Sequence, residues 1–484
     1  MVVKPPPIRT LHFGRLDASD EATQDPELLL EGYLDYNQAV YKMASGLAWY
    51  ILGPKGAGKS AVFEHLRLKW AGRHDRFFGV WDLRGFPVAD VTQIHTGQSV
   101  GPSRTQSAWE FLLLLRVFQS ISSDNGLDAS EEFLSLRKEL TKAGLLIDDW
   151  KLSVSRWSSS GASFKLNLGF LGLDVENRPV GPLEVTAVLR NALERVQTTN
   201  RHIISVDGLD SFFLETNDDW ASLAGLVHAI ESTNRFMAKL NLPITVVAAI
   251  RTEAFESLES TDSNKLKSHA VYLDWSPSGV SAESKLWTLV DTKVRVSRPE
   301  IGKFTSTYLG TDIGQGPYSR IPDYFLAYTR LLPRDLVALL THLQEVHPGS
   351  TAVTEAEAVL TVQNYAEQYF VGEIANNLAG ILPDRVGRQR KTTAFFEAVK
   401  SVQAAEFTMH DLQADLDGEL SDAELKLLLR QMFEIGAIGL RTRNGSSIER
   451  TDFKYRKATP VAFHPRRIFL LHNALIAAWN KSRA

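Results

Sequence analysis

The stretch Gly53-Pro54-Lys55-Gly56-Ala57-Gly58-Lys59-Ser60 decides the reading of this chain. It matches G-x-x-x-x-G-K-[ST] at every fixed position. The context fits as well: Leu47–Leu52 (LAWYIL) before it reads as a buried strand, and AVFEHLRLKW after it has helical periodicity. Glycines let the backbone curl so that successive N–H groups face phosphate oxygens, and the helix start adds a partial positive charge. In such a loop Lys59 reaches the β- and γ-phosphates and the Ser60 hydroxyl ligates Mg²⁺. Gly53 through Ser60, with Ala61, are therefore the expected cradle for ATP or ADP with Mg²⁺. The plain alternative is a glycine-rich turn with no ligand.

Further strands are expected at Phe78–Leu83, His202–Val206, Ile244–Ile250 and Ala270–Leu273. Helical stretches lie between them, around Ala108–Ser120, Leu183–Val196 and Ser222–Leu240. Short apolar strands alternating with helices predict an α/β fold, a parallel sheet with helices on both faces. Period-two alternation over residues 155–176 predicts an inserted hairpin. After residue 280 helical signals take over, for example over Ile321–Val346.

A phosphate loop needs an acid at the end of a buried strand. HIISV runs into Asp207-Gly208-Leu209-Asp210, which places Asp207 to hold Mg²⁺ directly or through water. In many ATPases a glutamate follows and orients the attacking water. Gly208 has no side chain to do so, and Asp210 is the nearest substitute. As bland readings, Asp207 is a strand-end turn residue and Asp210 a turn or helix-cap residue. The strand ITVVAAI leads to Arg251-Thr252-Glu253. Arg251 reads as a sensor of the γ-phosphate or water, or equally as a partner of Asp207 or Asp210. Glu253 is a weaker candidate for water activation. In Leu332-Pro333-Arg334-Asp335-Leu336, Pro333 starts a helix and sets Arg334 in its first turn. An arginine projecting from a lid onto the γ-phosphate couples nucleotide state to domain angle; the alternative is a surface arginine paired with Asp335 or Glu345.

Composition bounds the rest. The chain has 484 residues and no cysteine, which excludes disulfides, thiolate metal sites and cysteine nucleophiles and fits a cytoplasmic home. No apolar run approaches the ~20 residues of a membrane span. The 12 histidines show no zinc-ligand spacing, and no G-x-S-x-G elbow is present. The helix over Trp109–Phe118 reads as buried between layers.

The order GPKGAGKS, hhhhDGLD, a strand ending in Arg251, Asp274-Trp275-Ser276 after a strand, then LPRDL resembles the AAA+/STAND-type P-loop ATPases of bacteria, including the KAP and origin-recognition-like branches. The upstream Phe13-Gly14-Arg15-Leu16-Asp17-Ala18 and Gly32-Tyr33-Leu34 are similar to that group too. The likeness covers residues 10–350, specifically in the two nucleotide motifs and loosely elsewhere. It implies sensor roles for Arg251 and Arg334. Two departures stand out: Asp207 lies unusually far from Ser60, which implies insertions, and Gly208 replaces the usual glutamate, which favours a slow switch over fast turnover. No arginine finger can be assigned, Arg295 being only a guess.

The expected organisation is an N-terminal arm (1–34), a nucleotide core (35–280) with insertions at about 84–180, a helical lid (281–384) and a winged helix (385–484). In the last segment Phe395–Val402, Thr408–Leu416 and Asp422–Ile435 read as helices. Ile438–Arg443 and Phe453–Arg456 read as a hairpin around Asn444-Gly445. Residues 385–484 hold 17 Lys and Arg against 11 Asp and Glu, a net +6, which leaves −10 on residues 1–384 of the overall −4. Arg441, Arg443, Arg450, Lys454, Arg456 and Lys457 crowd the expected wing, where cations can neutralise double-stranded DNA phosphates. A solvated face or a protein-docking surface is the competing reading. The leading expectation is an ATP-hydrolysing switch. The others are a nucleotide-dependent DNA-binding protein of origin-recognition type, and a STAND-like regulatory or phage-defence protein with a protein partner and nucleotide-dependent homo-oligomerisation.

Overall fold

The computed structural model describes residues 4–84, 86, 88–94, 102–146, 154, 157, 163–167, 179–209, 217–258, 263–383, 386–444, 448–456 and 461–482. The chain divides into two compact units. One is Asp35–Gly53 with Leu66–Tyr272; the other is Met1–Leu34, Pro54–His65 and Leu273–Ala484.

The first unit is built on five parallel strands, β1 (Tyr50–Leu52), β2 (Arg76–Asp82), β3 (Arg201–Asp207), β4 (Ile244–Ile250) and β5 (Ala270–Tyr272), in the order β2-β3-β4-β1-β5. All seven residues of β4 are buried. Successive side chains alternate between faces, so unbroken burial means that both faces of the sheet are covered. The chain's α/β character follows directly from these β-branched, apolar runs.

Helix α1 (Lys59–Trp70) follows the glycine-rich loop in the chain. In the sheet unit, α2 (Pro102–Ser122), α3 (Pro182–Glu194) and α4 (Asn217–Lys239) pack together, α2 against both of the others. Phe111 through Leu115, Val117 and Phe118 of α2 are fully buried, so this helix is apolar because it is enclosed on all sides. From α4, the buried Asn234 amide donates to the Val246 carbonyl at 2.8 Å and accepts from the Val246 N–H at 2.7 Å. That pair pins the helix to the middle of β4, and leaving either strand group unmet costs about 1–3 kcal/mol.

Trp81, Val206, Ala248, Tyr50 and Ala270 stand in one row across the sheet. With every strand parallel, Asp82, Asp207, Ile250 and Leu52 come out along the same edge. Ligands of open parallel sheets bind at this carboxyl edge. Of the hairpin expected over 155–176, the structure pairs Phe164-Lys165 with Pro179-Val180. Apart from isolated residues, the remainder lies outside the described residues.

In the second unit, the helical signal over Ile321–Val346 resolves into two helices, the second starting at Pro333 as expected. Ile321–Ala327 ends, and α5 (Pro333–Val346) begins with Pro333 in its first turn. Between them Leu331 takes a left-handed backbone, φ 56. A two-stranded ribbon, Asp312–Gln315 with Tyr318–Arg320, was not anticipated. Helix α6 (Glu355–Tyr365) runs through a π-helical turn, Ala366–Phe370, into α7 (Val371–Leu378).

The C-terminal part has the helix–strand–helix–helix–hairpin order of a winged helix. Its helices are α8 (Arg388–Ser401), α9 (Met409–Leu416) and α10 (Asp422–Glu434). Thr408 with Asp411, and Ser421 with Glu424, form capping boxes that start α9 and α10. Its sheet runs β6 (Glu406–Phe407), β9 (Phe469–Leu471), β7 (Ile438–Asn444), β8 (Ile448–Asp452). The return strand is Ile448–Asp452, not Phe453–Arg456. Residues 454–456 form a 3-10 turn, because the Tyr455 ring is laid against Gly436, 2.4 Å from where a Cβ would stand. The alternating aromatics Phe453 and Tyr455 anchor that turn. The terminal helix is short, α11 (Asn473–Ala478). Among the described residues no helix is long and apolar enough to cross a membrane.

Candidate nucleotide site

Two of the loop's glycines are left-handed, Gly56 at φ 89 and Gly58 at φ 98. Such a backbone turns neighbouring N–H groups toward one concavity, which suits an anion. Among the described residues no atom lies within 4 Å of a Cβ built on Gly58, so that side of the loop is open. Lys59 is buried, and its ammonium donates back to the Pro54 carbonyl at 3.1 Å, folding the charge over its own loop.

Three consecutive loop residues are held by groups of the same unit, two of them on helices. The Lys55 ammonium pairs with Glu373 of α7 at 3.0 Å. The Arg334 N–H donates to the Gly56 carbonyl at 3.4 Å. The Trp275 indole N–H donates to the Ala57 carbonyl at 3.0 Å. A Cβ on Gly56 would stand 3.2 Å from the Cβ of Arg334, so only glycine leaves room for this approach. On α1, His65 stacks on Tyr33 at 4.2 Å and donates from Nδ1 to the Leu29 carbonyl at 3.0 Å. Sequence reasoning found Trp275 as part of a motif but gave it no role; Lys55 and Glu373 it did not join.

Arg334 therefore sits beside the loop. Of the partners weighed for it, Asp335 pairs with Arg330, and Glu345 faces His342 at 3.3 Å. The Arg334 Nε donates to the Leu16 carbonyl at 3.0 Å, which brings in the N-terminal stretch Phe13–Ala18.

In the sheet unit, Asp207 ends β3 and its Oδ1 accepts the Gly208 N–H at 2.8 Å. Gly208 has φ 83, and a Cβ there would fall 2.6 Å from the Arg84 nitrogen and 2.6 Å from Asp82 Oδ1. A glutamate cannot be accommodated at that position. The space is taken by Arg84 and by Asp82, which ends β2 as the direct register partner of Asp207. Its carboxylate accepts from the Arg84 N–H at 2.8 Å and from Arg84 Nε at 2.9 Å. Sequence reasoning read Asp82 only as part of a strand; the Trp81-Asp82 boundary, an acid leaving an apolar run, was the available signal.

Arg251 follows β4 and precedes the short helix Thr252–Glu256, with Nη1 4.0 Å from Glu253 Oε1. Asp210 lies outside the described residues. Arg295 donates from Nε to the Asp291 carbonyl at 3.1 Å.

No protein-family model matches the chain, and no curated protein matches it. Among solved structures, the crystal structure of Cdc6p from Pyrobaculum aerophilum aligns at 10% identity over 98% of this chain and 97% of that one, with a TM-score of 0.32. The fold assignment rests on this chain's own strands and not on that likeness.

The donor set suits the expected cofactor. Within its own unit the left-handed, open loop fits phosphate and carries the Ser60 hydroxyl, and in the sheet unit β3 ends in the Asp207 carboxylate; each is by itself a hard oxygen donor of the kind Mg²⁺ takes. On the expected wing, Arg441 pairs with Glu406 and Lys454 with Glu434. Lys457, and the side chains of Arg443, Arg450 and Arg456, lie outside what the structure describes.

Proposed function

We propose that the protein is a cytoplasmic, MgATP-binding and ATP-hydrolysing switch that couples nucleotide state to its C-terminal winged helix. The observation that carries this reading is the grip on the loop: residues 55 and 56 are held by Glu373 and Arg334 of the helical part, and residue 57 by Trp275 in the segment that follows β5. A loop built only as a turn has no need of three such contacts on consecutive residues. A loop whose phosphates are to be felt by a lid does.

In this reading the loop N–H groups and Lys59 bind the phosphates. Ser60 and Asp207 hold Mg²⁺, which offsets phosphate charge when bound. Arg334 reports the nucleotide to the helical lid. Asp82 takes the part of the glutamate that Gly208 cannot supply, orienting the attacking water, with Asp210 as the alternative acid for the same part. Arg84, clamped on Asp82, holds that carboxylate in place. The DNA-binding reading has thinner support, because two of the six wing cations, Arg441 and Lys454, already pair with glutamates.

The test is titration of a fluorescent ATP analogue with Mg²⁺, followed by ATP turnover, on the native chain and on Lys59→Ala. Loss of binding or turnover in the variant is expected. Normal ATP affinity and hydrolysis in Lys59→Ala overturns the assignment.

A further inference from the structure

The turn that leads into Arg334 is held by a buried ion pair. Arg330 and Asp335 are almost wholly buried, with side chains 3% and 0% exposed. One Asp335 oxygen accepts the Arg330 N–H at 2.9 Å and its Nε at 2.8 Å, and the other accepts Nη2 at 2.6 Å. The pair closes a loop around Leu331, whose left-handed φ of 56 is unusual for a branched residue. Burial works against the Arg330 charge, but the adjoining carboxylate outweighs it and holds the guanidinium above its ordinary range.

The other side of the same turn carries the C-terminal domain. His472 donates from Nε2 to the Thr329 carbonyl at 3.2 Å, while its Nδ1 accepts the Ala474 N–H at 3.1 Å. Asn473 donates to the Ala327 carbonyl at 3.0 Å. Phe370, in the π-helical turn, stacks on His472 at 4.8 Å and lies under the Arg330 guanidinium at 5.4 Å. Tyr365 is buried and Tyr369 half-buried in the same helical segment, and their buried hydroxyl oxygens have no hydrogen-bond partner among the described residues. Such unmet groups beside a strained turn mark a place with a second arrangement within reach.

We propose that the turn 327–332 is the joint between the nucleotide loop and the C-terminal domain, with Arg330 and Asp335 as the positioning residues that set Arg334 against Gly56. This rests on the switch reading above. Movement of Arg334 with the loop displaces the carbonyls of Ala327 and Thr329, and with them the seat of α11.

Single substitutions leave one charge buried alone, so the working variant removes the pair as a whole, Arg330→Met with Asp335→Leu. Affinity for a fluorescent ATP analogue, ATP turnover and amide exchange over residues 469–478 are measured on the full chain with ATP analogue and with ADP. The double variant is expected to bind the analogue within about threefold of the native chain while turnover falls about tenfold or more, as in Arg334→Ala. Adding Arg334→Ala to it should cost little more, because the two changes remove one function. The difference in exchange between ATP analogue and ADP should vanish in the double variant and in His472→Ala, which leaves the ion pair intact. Arg334→Ala costing the same factor in both backgrounds overturns the positioning role. Survival of the exchange difference in His472→Ala overturns the joint. A native chain that binds no nucleotide, like Lys59→Ala, instead refutes the switch reading on which the proposal stands.

Discussion

Asp82 and Asp207 end neighbouring parallel strands as direct register partners, and the Asp82 carboxylate occupies the place where a side chain on Gly208 would begin. Two acids thus leave one sheet edge side by side, from strands far apart in the chain. Asp82→Asn keeps the size and the contact with Arg84 but removes the charge. Turnover should fall by about two orders of magnitude, the range of a lost acid–base or water-orienting group, while nucleotide affinity stays within about threefold. Parallel kcat and Kd measurements check this; native turnover in the variant removes Asp82 from the chemistry.

Restoring the familiar glutamate should fail. Gly208→Glu demands a positive φ from a residue that avoids it and drives a Cβ to 2.6 Å from both the Arg84 nitrogen and Asp82 Oδ1. The expected loss is about 2 kcal/mol or more in urea unfolding, with no gain in turnover. A Gly208→Glu protein as stable as the native one, or faster, contradicts the packing described.

Acid sensitivity should trace to His202. Its ring is fully buried at the start of β3, with Phe77 stacked on it at 4.5 Å, Ser120 Oγ 3.0 Å from Nδ1 and Asp124 Oδ2 3.2 Å from Nε2. Burial holds its pKa below the ordinary range against the pull of Asp124. The unfolded chain then binds more protons near the ordinary His value of about 6.5, so stability is full above that pH and declines as pH falls through it. Urea midpoints at descending pH check the sign. His202→Gln should flatten that part of the slope; an unchanged slope assigns it to other groups.

The glycine-rich turn between strand and helix was legible because GPKGAGKS sets its glycines at fixed spacing, and because LAWYIL and AVFEHLRLKW declare their periods on either side. The parallel sheet was legible for a similar reason: runs such as ITVVAAI are apolar at every position and have no solvent face to give. Asp82 was not legible, since its importance comes from lateral register with residue 207, which local pattern does not encode. The partner of Asp335 was misjudged because the contact closes through a left-handed turn at Leu331, a conformation that nothing in Arg330-Leu331-Leu332-Pro333 announces. The wing hairpin was shifted because Phe453 and Tyr455 alternate like a strand but serve as anchors for a turn.

The crowding of Gly208 also bears on how changes at 82 and 208 combine. A side chain at 208 needs room that the Arg84 backbone and Asp82 both fill, and Asp82 in its present place needs its neighbour bare. Changing 208 first produces a collision, and changing 82 first leaves the sheet edge one carboxylate short. Neither single change therefore opens the other arrangement, and the effects of substitutions at these two positions should be non-additive.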